Sequence, residues 1–236
     1  MGGMKEEKMN KRMFASLVIA LLIMSVIQLP LAASQPPRKL DAGAYQDTWR
    51  RLWEEQITWV RMVIVGTLDD LKDADMAKTR LFQNPSDIEA ALKLVLGPGD
   101  PGAVRLAGLV REHLIKSARI LEAIKAHQDP RDALQAWYAI GEKIAVQMYA
   151  MNPELWPLES SKMMWRDHLE ATAEQIWARH PLDPNGHPNY AADITAFDKV
   201  QFVSLNMADF FSQGLIQGFP QKFSGGAGMS RGLRGR

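Results

Sequence analysis

With 236 residues, 47% of them apolar and 23% charged, the chain has the make-up of a globular protein large enough for one substantial core, which excludes wholesale disorder. A formal net charge of +1 gives no electrostatic reason to expect a nucleic-acid partner. There is no cysteine, so disulfides, thiol catalysis and a lipid-modified cysteine are all excluded, and stability must come from packing.

Residues 1–35 follow a pattern of their own. Lys5, Lys8, Lys11 and Arg12 form a positive flank, and Met13 to Ile27 is an uncharged apolar run. Pro30 breaks it, and Leu31-Ala32-Ala33-Ser34 offers small residues for cleavage after Ala33. This order predicts a signal peptide or a membrane anchor. The run is about 15 residues to Ile27 and nearer 20 through Ala33. A spanning helix needs roughly 20, so cleavage and tethering both stay open. The expected location is extracytoplasmic, either secreted or tethered to the cytoplasmic membrane through the uncleaved segment.

Helices then follow one another with almost no strand. Apolar residues at three- and four-residue spacing predict helices over 42–73, 85–96, 101–127, 130–151, 157–180 and 190–217. Asn84-Pro85, Asp100-Pro101, Asp129-Pro130, Asn152-Pro153 and Asp183-Pro184 punctuate them. Asn and Asp suit the N-cap and proline the first helical turn, so each step marks a helix start or the loop just before one. The expected fold class is all-α: an up-and-down bundle of five or six helices over 42–220, followed by a flexible Gly/Arg-rich tail over 221–236. The tryptophans, at helical spacing, are expected in the core. Arg61 is expected to pair with Asp87 or with a helix end.

Three of the long helices share a local pattern: Glu55-Gln56-Ile57, Glu112-His113-Leu114 and Asp167-His168-Leu169, spaced 57 and 55 residues apart. Gln56, His113 and His168 each fall on the apolar stripe of their own helix, with the preceding acid off its centre. The bundle is therefore expected to hold a buried polar layer at these three positions, and burial demands that each find a hydrogen bond or a metal. One reading is an interhelical hydrogen-bond network that fixes helix register. The other is a site for a divalent transition metal with His113 and His168 as ligands, completed by Asp209 or Asp198. The Glu-x-x-His pairs of diiron bundles are absent, since Val110 and Trp165 stand three residues before the histidines. His127, His180 and His187 fall at helix ends or in a loop. No nucleophile elbow, phosphate-binding glycine loop or His-Glu-x-x-His helix occurs, so no catalytic residue is assigned.

The segments Leu52 to Arg61 (LWEEQITWVR) and Arg80 to Ile88 (RLFQNPSDI), those around His113 and His168, Met207-Ala208-Asp209 and Gly218-Phe219-Pro220 carry a resemblance. They resemble a family of uncharacterised helical proteins of Gram-positive bacteria, many with a signal-like N-terminus. The resemblance implies histidine at the position of Gln56 and threonine at that of Val60, and this chain departs at both. Some members bear the label acetylglutamate kinase. That activity implies an α/β fold with glycine-rich phosphate loops, which this sequence lacks, so it is not carried over. The expected function is a binding or structural role at the cell envelope, with another envelope protein or a second copy of the chain as partner. The alternative is a metal-binding bundle centred on His113 and His168.

Overall fold

The computed structural model describes residues 38–180 and 187–225. The chain divides at Arg38, and the description that follows concerns the body from Lys39 onward. The signal or anchor segment lies outside the described residues, as do Asp183-Pro184 and the tail from residue 226.

The body is an all-α helical bundle. Its helices are α1 (Ala42–Leu68), α2 (Ala74–Leu81), α3 (Asn84–Leu96), α4 (Pro101–Lys125), α5 (Arg131–Met151), α6 (Leu158–Arg179) and α7 (Tyr190–Gly218). Two two-residue strands, β1 (Leu40–Asp41) and β2 (Phe223–Ser224), pair in parallel and tie the start of the body to its end. Phe223 is buried against Tyr45, ring centres 5.1 Å apart, so the core reaches past residue 220.

At 1.5 Å per residue α1 is about 40 Å long and sets the height of the bundle. It descends from the β1–β2 end. The chain then climbs back through α2 and α3, with Asn84 bonded to Leu52 and Tyr45 to Ala91. From there α4 descends, α5 ascends, α6 descends and α7 returns to pack between α6 and α1, closing an up-and-down ring. The tryptophans fill it as expected: Trp49, Trp53, Trp137, Trp156 and Trp165 are fully buried, while Trp59 and Trp177 are half-buried. Trp49 stacks on Phe211 at 5.2 Å. Gly214 lets α7 approach Trp156, because a Cβ there would fall inside the indole ring.

The helix boundaries differ from expectation in two places. α1 ends at Leu68 rather than 73, because Asp70 turns the chain through a positive φ of 57° and the Leu71 amide bonds back to the Gly66 carbonyl. The short α2 fills the gap that the sequence left open. Of the Asx-Pro steps, Asp100 is a true N-cap, its carboxylate accepting from the Ala103 amide at 2.8 Å. Asn84 is instead spent on tertiary structure: its side-chain amide donates to the Leu52 carbonyl at 2.8 Å, inside the core.

At the end far from the strands, charge closes the bundle. Asp193, 1% exposed in the first turn of α7, accepts two bonds from Arg61 of α1 at 2.8 and 2.9 Å and one from Arg179 of α6 at 3.3 Å. Arg179 also pairs with Asp69 at the end of α1. Arg61 therefore pairs not with Asp87 but with a helix end, through Asp193 in the first turn of α7. Phe197 and Tyr190 lie against the two guanidinium groups at 4.8 and 4.9 Å. Removing one charge from such a buried set leaves its partners uncompensated. Asp193→Asn is expected to destabilise the fold by about 3–5 kcal/mol, measured by urea denaturation, with Asp87→Asn near neutral as the comparison.

Candidate functional site

The three descending helices α1, α4 and α6 each carry one polar residue about midway along their length, and all three are buried: Gln56 at 0%, His113 at 2% and His168 at 3% exposure. Each sits there because it replaces an apolar residue on a stripe that packing turns inward. His113 and His168 meet across the interior, ring centres 5.7 Å apart. Gln56 follows one turn after Trp53, whose indole packs edge-on to His168 at 5.6 Å. Ile57, next to it, shares a small core cluster with Ala171 and Val200. The glutamine is thus bracketed by two contacts that place α1 alongside this part of α6.

Aromatic rings wall the pair. Trp137 stacks on His113 at 5.5 Å, and Trp165 meets His113 and His168 edge-on at 5.5 and 5.8 Å. Trp165 is itself fixed by an N–H bond to the Met148 sulfur at 3.4 Å. Polar contacts are few. The His168 Nδ1 is 3.2 Å from the Ser204 hydroxyl of α7, and the Thr172 hydroxyl donates to the His168 carbonyl at 2.8 Å. The His113 Nδ1 and both amide atoms of Gln56 have no hydrogen-bond partner among the described residues, nor have those of Gln175, two turns further along α6.

Burial makes the charged form of either imidazole costly. It pushes His168 down to about 4 and His113 well below the ordinary histidine value, with the neighbouring His168 lowering His113 further. Both rings are therefore neutral at physiological pH, each with one nitrogen lone pair available as a hydrogen-bond acceptor or metal ligand.

Asp209 does not join them. Its carboxylate takes two bonds from Arg50 at 2.7 and 2.9 Å and a third from the Gln46 amide at 2.9 Å, on the α1–α7 flank. Burial raises its pKa, but the bonds from Arg50 and Gln46 outweigh that and hold it below the usual carboxylate range. Asp198 is exposed on α7. Among the described residues no group of three or more His, Cys, Asp or Glu stands close enough to hold a metal ion. The expected set His113, His168 and Asp209 is therefore corrected: the histidines converge, but the carboxylate is spent on an arginine. His127 follows the end of α4, His180 ends α6 against Trp177, and His187 lies in the connection to α7.

Sequence reasoning anticipated a helix-end partner for Arg61 but missed Asp193 itself and its links to Arg179 and Asp69. Its signal was present: an aspartate in the first turn of one helix and an arginine in the last turn of the helix before it, both where helix dipoles favour them. Comparison with protein-family models, with curated proteins and with solved structures finds no match.

The histidine pair has a consequence in pH. An unfolded histidine titrates near 6.5, so both folded values are depressed and the unfolded chain binds more protons on acidification. Stability is expected in full above about pH 6.5 and to fall as pH drops toward 4, by on the order of 3 kcal/mol from His168. Urea denaturation across this range measures it. In His168→Gln, which carries no titrating group there, the slope should flatten.

Proposed function

We propose that this chain is an exported or membrane-tethered helical-bundle protein with a binding or structural role at the cell envelope. The observation that carries the reading is the order of residues 5–33: positive flank, uncharged apolar run, proline, then small residues, ahead of an independent helical body. The resemblance to signal-bearing helical proteins of Gram-positive bacteria points the same way. Among the described residues, no helix is long and apolar enough to cross a membrane.

The outer face of α7 supports a partner-binding role. Tyr190, Ile194 and Phe202 stand out from it, Phe202 at 69% exposure. Tyr190 and Ile194, one turn apart, form an exposed apolar pair, and exposed apolar patches mark association surfaces. The buried layer fits a structural role, since polar residues that face one another in a core penalise any other helix register. The partner is another envelope protein or a second copy of the chain.

Intact mass of the protein from its natural host, taken separately from medium, membrane and cytoplasm, tests this reading. The expected result is either a chain beginning at Ser34 in the medium or a full-length chain in the membrane fraction, degraded by protease added outside the cell. Full-length chain confined to the cytoplasm would refute export.

A further inference from the structure

The buried layer combines unused donor atoms with an unusual electrostatic setting. His113 and His168 are apposed at 5.7 Å, and the His113 Nδ1 and the Gln56 amide oxygen have no hydrogen-bond partner among the described residues. With its Nδ1 engaged by Ser204, His168 keeps Nε2 as the nitrogen left to ligate, which is how an outer hydroxyl commonly orients a ligating imidazole. The scale suits one ion. An ion about 2 Å from one nitrogen of each ring stands roughly 3.2 Å from each ring centre, so a linear pair would span about 6.4 Å. The observed 5.7 Å falls within that span, so the two rings stand at a separation that one ion can bridge.

Charge decides which ion. Among the described residues no carboxylate completes a metal-holding group with the histidines, and the candidate from the sequence, Asp209, is paired with Arg50. A divalent ion would therefore bring two uncompensated charges into an interior walled by Trp53, Trp137 and Trp165. The cost of burying charge grows with its square, so a monovalent ion is penalised about a quarter as much. Indole rings also favour a desolvated cation. Imidazole is a good ligand for copper, and the filled-shell monovalent ion accepts two or three neutral donors. We propose that His113 and His168 form an internal two-coordinate site for a monovalent soft cation of the copper(I) type. The two imidazoles are the ligands, and Asp209 takes no part.

The test uses the full chain purified without an affinity tag. Silver(I) serves as a redox-inert probe, copper(I) is supplied anaerobically in acetonitrile, and zinc(II) is the comparator, each followed by desalting and elemental analysis. One equivalent of silver or copper should stay bound, with little zinc. In protein carrying nitrogen-15 histidine, the ring-nitrogen resonances of His113 and His168 should move while that of His127 does not. His113→Leu and His168→Gln should each weaken retention of silver by at least about 10-fold, while His127→Gln keeps it. The unchanged chain alone can overturn the proposal. No retained ion, an ion retained with the His113 and His168 resonances unmoved, or zinc held as firmly as silver would each do so. None of these readouts depends on where the protein resides in the cell, so this site and the export reading fail separately.

Discussion

The constraint on which the rest of the structure depends is the burial of α6 with polar residues along its inward seam. Ser161, Trp165, His168, Thr172, Gln175 and Arg179 recur at alternating four- and three-residue steps, and all six are buried. In a coiled coil those positions would be apolar. An unpaired buried polar group costs about 1–3 kcal/mol, so such a helix is tolerable only where neighbours supply partners or large apolar compensation. α7 supplies Ser204 and Asp193, α1 supplies Asp69, and the helix itself takes back the Thr172 hydroxyl. Indoles supply the rest of the compensation, since each buries a large apolar area around a single polar atom. The closed ring of long helices gives α6 partners along its inward seam, while Met163, Arg166, Glu170 and Glu174 keep its outer face exposed.

Legibility in the sequence followed this physics. The helices could be read because apolar periodicity is a local property, and Gln56, His113 and His168 could be read because they interrupt that periodicity on its buried side. The end of α1 could not. Leu71 continues the stripe by spacing, yet it is 45% exposed, because a left-handed Asp70 has already turned the chain away. Periodicity reports which face a residue would occupy if the helix continued, and it is silent on whether the helix does. Asn84 shows the same limit from another side. Its proline neighbour marks the helix start correctly, but the side chain is claimed by a backbone carbonyl thirty-two residues earlier.

The site was half legible for a related reason. Two histidines on the buried stripes of two helices can be expected to meet if the helices are level, and they do. Which carboxylate would reach them depends on rotation of α7 about its axis, and that is set by pairing across helices. Gln46 and Arg50, one turn apart on α1, capture Asp209 and so fix the face α7 shows to α1. At the far end, Arg61 and Arg179 capture Asp193 on the same helix. Residues 193 and 209 are sixteen positions apart, about 24 Å along the axis. α7 is therefore pinned by charge at two well-separated levels, while Ser204, between them, is the residue turned toward His168.

That placement explains why the layer has the electrostatics it has. The same rotation that brings a hydroxyl to His168 withdraws Asp209 to the flank, so the centre of the bundle receives neutral donors only. Neutral donors cannot offset a buried charge of two, and they cannot keep an imidazole protonated. The low basicity of the two histidines follows from their burial, and the preference argued for a monovalent ion from the want of a carboxylate beside them among the described residues. A carboxylate introduced beside the pair would act on both at once, raising the basicity of the imidazoles and admitting a divalent ion. Whether those two properties move together separates a layer governed by its charge from one governed by shape alone.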